Sequence, residues 1–246
     1  MGSIITVISG KGGVGKSTVS AGLGTALTLL GSKVLLVDCD SRLRCLDLML
    51  STSQNSAFDL TDVINGEAEV SEAAVAVDGT FGLYVISAAR DNSLSENADT
   101  FKQKMKDAAE IFDFIILDSP AGIGGDFEAA VKAADRFLVI STPEPVSIRD
   151  AETAAKQAER LGDARARLII NRMEYSLVKK GLYANADNMI DRTEVQLIGI
   201  VPQDTLAHKN AILGVPVKKG RAAGAFLRIA KRLKGERIPL PKAKKI

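Results

Sequence analysis

Residues 3–18 read Ser-Ile-Ile-Thr-Val-Ile-Ser-Gly-Lys-Gly-Gly-Val-Gly-Lys-Ser-Thr, and no other stretch of the chain restricts its fold as tightly. Ile4, Ile5, Val7 and Ile8 make a β-branched apolar run that stops at a loop holding Gly10, Gly12, Gly13 and Gly15. Lys16-Ser17-Thr18 follows and opens an Ala/Leu-rich helical stretch that ends at Gly31. Strand, glycine loop, Lys-Ser-Thr and helix follow one another as in the G-x-x-x-x-G-K-[ST] phosphate loop. Its glycines let the backbone curl closely enough for successive N–H groups to face phosphate oxygens. The helix N-terminus adds partial positive charge. On this reading Gly12, Gly13, Val14, Gly15, Lys16, Ser17 and Thr18 cradle a nucleotide's phosphates. Lys16 bridges the β- and γ-phosphates, and the Ser17 hydroxyl coordinates Mg²⁺.

Two later apolar runs end in acids. Residues 33–38, Lys-Val-Leu-Leu-Val-Asp, hold a short continuous apolar run that ends in Asp38-Cys39-Asp40, the mark of a strand buried on both faces. Residues 112–118 form a second such strand, ending at Asp118 before Ser-Pro-Ala-Gly-Ile-Gly-Gly. Carboxylates at the carboxyl edge of a parallel sheet lie where open α/β folds bind ligands. Of Asp38 and Asp40, one could hold a water of the Mg²⁺ shell and the other orient an attacking water; a helix N-cap is the structural alternative for either. Asp118 is expected beside Mg²⁺, with the glycines beyond it giving a mobile loop able to sense the γ-phosphate. Strands are also expected at 81–86, 136–140, 167–173 and 196–202. Helices are expected at 58–64, 99–112, 222–234 and from the 141–150 loop through 161. Together these predict an α/β fold, a three-layer, mostly parallel sheet flanked by helices, over residues 1–238, with a Pro/Lys-rich tail at 239–246.

Composition removes several alternatives. Hydrophobic residues make up 46% and charged residues 25%, ordinary for a globular protein. No apolar run approaches the roughly 18 residues of a membrane span. Only two residues precede the first strand, which leaves no room for a secretory signal, so a cytoplasmic setting is expected. Met1-Gly2 opens a formal myristoylation pattern, but Gly2 abuts a buried strand and is poorly presented. Cys39 and Cys45 lack C-x-x-C spacing and are expected to be free thiols. The lone His208 has no partner motif and reads as a surface or loop residue, and Lys102, Lys104 and Lys106 read as a solvated face. Eleven Lys/Arg and one acid fall between Lys218 and Lys245, leaving a net charge of −8 on the rest of a chain that is +2 overall. A basic end on an acidic body suggests a polyanionic surface, either lipid or nucleic acid.

Lys11 lies inside the loop, five positions before Lys16. A lysine there cannot easily reach phosphates that its own loop wraps, but it can reach a nucleotide presented by a facing subunit. The segment resembles the deviant phosphate loop of the MinD/ParA ATPases, in which the extra lysine contacts nucleotide across an ATP-sandwich dimer. Asp38–Asp47 resembles the switch of the MinD branch, usually Asp-x-Asp-Ile-Gly-Leu-Arg-Asn-Leu-Asp. Leu43, Arg44, Leu46 and Asp47 match, while Arg42 replaces a glycine and Cys45 an asparagine. Asp118-Ser-Pro-Ala-Gly-Ile also matches that branch, where partitioning ParA proteins usually carry Asp-x-Pro-Pro. Thr142-Pro-Glu and Ser147-Ile-Arg-Asp extend the likeness, which implies that Asp150 and Glu152 face a dimer partner or regulator; as bare chemistry they are acids of a helix's first turn. The resemblance also assigns Asn171 and Arg172, with Pro202 and Asp204, to the adenine.

The resemblance therefore implies a slow, switch-type ATPase that binds ATP/ADP with Mg²⁺ and forms a homodimer with ATP. Its role would be placement of the division septum with Min-system regulators. Lys11, Lys16 and Asp40 would be the catalytic residues, and Ser17, Asp38 and Asp118 the metal ligands. The alternative is a ParA-type partitioning ATPase that binds non-specific DNA through its basic end. A nucleotide-binding scaffold or metal-cluster carrier is a third possibility. At the C-terminus, Phe226, Ile229, Ala230 and Leu233 repeat at i, i+3, i+4 and i+7, an apolar stripe expected to pack on the domain. MinD proteins typically continue into an amphipathic membrane helix; Ile238-Pro-Leu-Pro-Lys-Ala-Lys-Lys-Ile has no helical period to form one. Lys242, Lys244 and Lys245 would give a membrane about 1 kcal/mol each, a weak and salt-sensitive attraction.

Overall fold

The computed structural model describes residues 1–53, 55–91 and 93–241, with the Ser93 side chain left out; Lys242, Lys244 and Lys245 lie outside the described residues. Eight strands form one sheet: β1 (Ser3–Ile8), β2 (Val34–Asp38), β3 (Val75–Ala76), β4 (Leu83–Ile86), β5 (Phe114–Asp118), β6 (Arg136–Ser141), β7 (Ala166–Met173) and β8 (Gln196–Pro202). Their spatial order is β3-β4-β2-β5-β1-β6-β7-β8. All pairings are parallel except that of the two-residue edge strand β3 with β4. The helices in chain order are α1 (Lys16–Leu29), α2 (Leu46–Met49), α3 (Leu60–Asn65), α4 (Val70–Ala73), α5 (Ser93–Glu96) and α6 (Ala98–Ala108). They continue as α7 (Gly125–Ala133), α8 (Pro145–Leu161), α9 (Tyr175–Lys179), α10 (Ala186–Thr193), α11 (Thr205–Ile212) and α12 (Arg221–Leu233).

The expected parallel sheet with helices on both faces is present, because β1, β2 and β5 are buried on both sides and need cover on both. One face packs Ile5, Val7 and Leu36 against α1 and α12. The other buries Ile4, Leu35 and Ile115 beneath α3, α6 and α7, and Val139 and Leu168 beneath α8 and α10. The apolar stripe Phe226, Ile229, Ala230 and Leu233 of α12 is buried on the domain, as its spacing predicts. A side chain at Gly22 of α1 would overlap the Phe226 ring, so that glycine sets how closely α1 and α12 approach.

Several boundaries differ from the sequence reading. Phe81 and Gly82 lie outside β4; Phe81 is 96% exposed and Gly82 has φ +87, a turn conformation. The helix expected over 99–112 stops at Ala108, where Ala109 N–H turns to the carbonyls of Met105 and Lys106. Its lysines divide: Lys104 pairs with Glu69 at 3.8 Å, while Lys102 and Lys106 line a common hollow. His208 is exposed, but on α11 rather than in a loop. Asp150 is the sixth residue of α8, not part of its first turn, and its backbone carbonyl sits against Gly10 of the phosphate loop. Among the described residues no helix is long and apolar enough to cross a membrane.

Candidate functional site

Between β1 and α1 the loop is shaped by two left-handed glycines, Gly13 (φ +78) and Gly15 (φ +95). A side chain at Gly15 would strike the Asn171 amide, and one at Gly10 the Asp150 backbone. Gly12 and Gly13 instead have open space where a Cβ would stand. The loop is therefore packed from below and bare above. Gly15 offers no side-chain cap, and the first turn of α1 carries no acid. The helix N-terminal N–H groups thus keep the open, electropositive arrangement that binds anions. Lys16, the first residue of α1, is buried to 9% exposure, while Lys11 is half-buried on the loop's flank. Ser9 Oγ donates to the Lys11 carbonyl at 2.8 Å, and Asn171 Nδ2 to the Val14 carbonyl at 2.8 Å. Both ends of the loop are tied down.

Asp38 and Asp118 stand side by side at the carboxyl ends of β2 and β5. Asp118 accepts Ser20 Oγ at 2.9 Å and the Ser17 hydroxyl. Burial raises its pKa, while Ser17, Lys16 and Ser20 pull it down. For Asp38, burial and then the Asp118 charge push the pKa up from 3.8 to about 7. That rise survives three backbone N–H donors: Asp40 at 3.0 Å on Oδ1, with Cys45 at 2.8 Å and Leu46 at 3.0 Å on Oδ2. Asp38 thus caps α2, the structural alternative weighed above, while keeping its place at the sheet edge. Two buried carboxylates that resist ionising together, with the Ser17 hydroxyl beside them, fit a hard divalent cation. Among the described residues no three His, Cys, Asp or Glu side chains gather into a metal cage. Such a set suits Mg²⁺, which keeps waters and takes its remaining oxygens from phosphates.

Asp40 Oδ1 accepts the N–H of Arg42 at 3.2 Å and Leu43 at 3.1 Å. It lines a cavity of about 480 Å³ with Pro120, Ala121, Gly125 and Asp126. Ser41 Oγ donates to Asp126 Oδ2 at 3.0 Å, joining the loop after β2 to the first turn of α7. Ser119 Oγ donates to the Val7 carbonyl at 2.9 Å, and Gly122 N–H to the Ser9 carbonyl at 3.2 Å. The loop after β5 is thereby hinged to the phosphate loop.

On the far flank, Thr18, Asn171, Arg172, Pro202, Asp204 and Phe226 share a cavity of about 280 Å³. Arg172 has φ +55 inside β7, where the register with β8 slips; a non-glycine residue pays strain for that conformation. The Asp204 carboxylate is engaged structurally: Oδ1 accepts Leu206 N–H at 2.9 Å and Oδ2 accepts Ala222 N–H at 2.9 Å. Burial raises its pKa, but backbone donors led by Ala222 and Leu206 win and lower it. Asp204 therefore fixes the cavity wall by capping α11 and anchoring α12. Cys39 is buried, Cys45 half-buried, and both are free.

The residues expected at the site lie at or just beyond the carboxyl ends of β1, β2, β5, β7 and β8 or in the first turn of α1. Ser20 and Asp126 also belong to it and carried no motif of their own. Ser20 is four residues, one helical turn, beyond Lys16, and that spacing was the available signal.

A family model described as an AAA domain matches residues 2–170. The septum site-determining protein MinD of Bacillus subtilis is 37% identical over 247 residues, spanning 98% of this chain and 92% of its own. The MinC:MinD cell division protein complex of Aquifex aeolicus contains a chain that superposes with a TM-score of 0.90 at 33% identity, covering 98% of both chains. MinD of Pyrococcus horikoshii, solved with Mg-ADP, superposes at 0.84 with 26% identity over 95% of this chain and 96% of its own. Matched along nearly its whole length to such relatives, the chain belongs to the MinD family of septum site-determining ATPases.

Proposed function

We propose that this chain binds Mg-ATP at the β1–α1 loop, dimerises in that state, hydrolyses it slowly and acts in placing the division septum. The observation that carries the reading is the meeting of a left-handed glycine loop, a buried Lys16 and the Asp38–Asp118 pair at one sheet edge. Loop N–H groups and Lys16 would neutralise phosphate charge as it develops, and Ser17 with Asp118 and Asp38 would hold the metal and its waters. Asp40, at the mouth of the larger cavity, would orient the attacking water. Lys11 would act on the nucleotide of the facing subunit. Asn171 and Arg172, with the Pro202–Asp204 wall, would bound the base.

A Min-system regulator is the natural partner, since the Aquifex relative is known in complex with MinC. The relatives' septum-site role favours this reading over DNA partitioning. A cytoplasmic setting, with weak contact with an anionic membrane surface, accompanies it. The test is the protein's mass by light scattering in Mg-ADP and in a non-hydrolysable Mg-ATP analogue, alongside phosphate release. A doubling in the triphosphate that Lys11→Ala abolishes is expected, with Lys16→Ala losing nucleotide altogether. A wild-type protein that stays monomeric with triphosphate bound, or a Lys11→Ala protein that dimerises and turns over normally, overturns the trans role.

A further inference from the structure

At the opposite edge of the sheet, where the strands begin, Arg136, Arg165, Arg167 and Arg232 line a cleft of about 320 Å³. Sequence alternation places two of them. Arg136 and Leu138 share a face of β6, Leu138 lies in register with Arg167 of β7, and Arg167 with Gln196 of β8. The last turn of α12 closes the cleft with Arg232 and Leu233. The guanidinium groups are held in place chiefly by neutral acceptors. Arg136 Nη1 donates to the Leu233 carbonyl at 2.8 Å, and Arg167 donates to the Gln196 side chain. Arg232 donates to the carbonyls of Ile198 at 2.8 Å, Ile238 at 2.9 Å and Pro239 at 2.9 Å.

Each guanidinium has five N–H donors, so every one keeps some in reserve. Two acids are near. Asp135 lines the cleft and accepts Ile4 N–H at 2.9 Å through Oδ2. Glu159 pairs with Arg165 at 3.3 Å and accepts Ala166 N–H. Among the described residues Arg136, Arg167 and Arg232 form no ion pair, and Arg228 adds repulsion at Arg232. Lys102, Lys106 and Lys132 line an adjoining hollow that shares Asp135 and Ala164 with the cleft. Converging, pre-positioned and mostly uncompensated guanidinium groups are the chemistry that recognises phosphate oxygens in forked pairs.

We propose that this arginine cleft, on the edge opposite the nucleotide loop, is a second anion site that takes a phosphate ester. The ester can come from a lipid headgroup or from a soluble metabolite, and the experiment separates the two. Protein is first saturated with Mg-ADP so that the phosphate loop is filled. It is then titrated with glycerol 3-phosphate by calorimetry, and separately sedimented with phosphatidylcholine vesicles that do or do not contain phosphatidic acid. The variant is the double substitution Arg165→Gln/Arg167→Gln, both exposed side chains. ATP turnover in this variant is expected to match wild type, which reports that it is folded and keeps this test separate from the nucleotide reading. Loss of about tenfold or more in affinity for either probe supports the site. Loss with vesicles alone identifies a lipid headgroup, and loss with the soluble ester identifies a metabolite. An absence of binding to both probes, or binding that the double substitution leaves unchanged, overturns it.

Discussion

In metal-free protein, raising the pH from about 5 to about 8 must draw a proton out of the Asp38–Asp118 corner. Asp38 titrates near 7 in the folded chain against 3.8 when unfolded, because burial and then the neighbouring carboxylate disfavour its charge. Between those values the native state binds the extra proton, so this group's contribution to stability is present at low pH and is lost as pH rises towards 7. At about 1.4 kcal/mol per unit, the span from 5 to 8 costs roughly 2–3 kcal/mol, since most of the loss falls below 7. Asp38→Asn removes the titration. The assay is the urea midpoint in chelator at several pH values, for wild type and variant, read as a difference so that other titrations cancel. The wild-type curve should fall relative to the variant across this window. Saturating Mg-ADP should flatten it, since a cation makes the ionised pair favourable. Parallel curves for the two proteins in chelator would refute the argument that burial and the neighbouring carboxylate hold a proton on Asp38.

Gly15→Ala forces a side chain into φ +95 and against the Asn171 amide, so beyond roughly 1–2 kcal/mol of backbone strain it should abolish nucleotide binding, measured by fluorescent ADP titration. Asn171→Ala leaves the Val14 carbonyl without its 2.8 Å donor; about 1–3 kcal/mol of stability should go, with weaker nucleotide affinity, by denaturant titration with and without ADP. Phe226→Ala empties the contact between α12 and Gly22 and should cost about 3–5 kcal/mol in urea unfolding. Retention of full stability there would mean that α12 is not part of the cooperative unit.

The phosphate loop was legible because its geometry needs particular residues: glycine adopts the φ values at Gly13 and Gly15 without the strain a side chain brings. Asp38 and Asp118 were legible because each ends a run too apolar to be anything but a central strand. What stayed hidden depends on contacts between distant segments. Residues 174–195 hold α9 and α10, yet α9 has five residues and α10 eight, too few turns for a helical period to stand out. The strand β3 has two residues and exists only because β4 offers an edge. The likeness that gave Asp204 to the base could not show that its oxygens cap α11 and hold α12, a bond 18 residues away. Likewise the basic C-terminal end read as one charged surface. In the fold that end divides: Lys218 donates to the Gly79 carbonyl and Lys234 to Ser32, while Arg232 joins Arg136, Arg165 and Arg167 in the cleft at the strand starts.

The central position of β1 bears on how the protein is made. β1 is synthesised ahead of both its neighbours, β5 and β6, and Thr6 meets its partner Leu117 across 111 residues of chain. A nascent chain therefore emerges with its glycine loop complete in sequence but unsupported. β5 must leave the ribosome before that strand gains one neighbour, and β6 before it gains the second. Contacts of such long sequence separation are late and slow to form. Ribosome-held chains stopped ahead of β5 should accordingly fail to retain ADP, and nucleotide capture should begin only once the second half of the sheet has been translated.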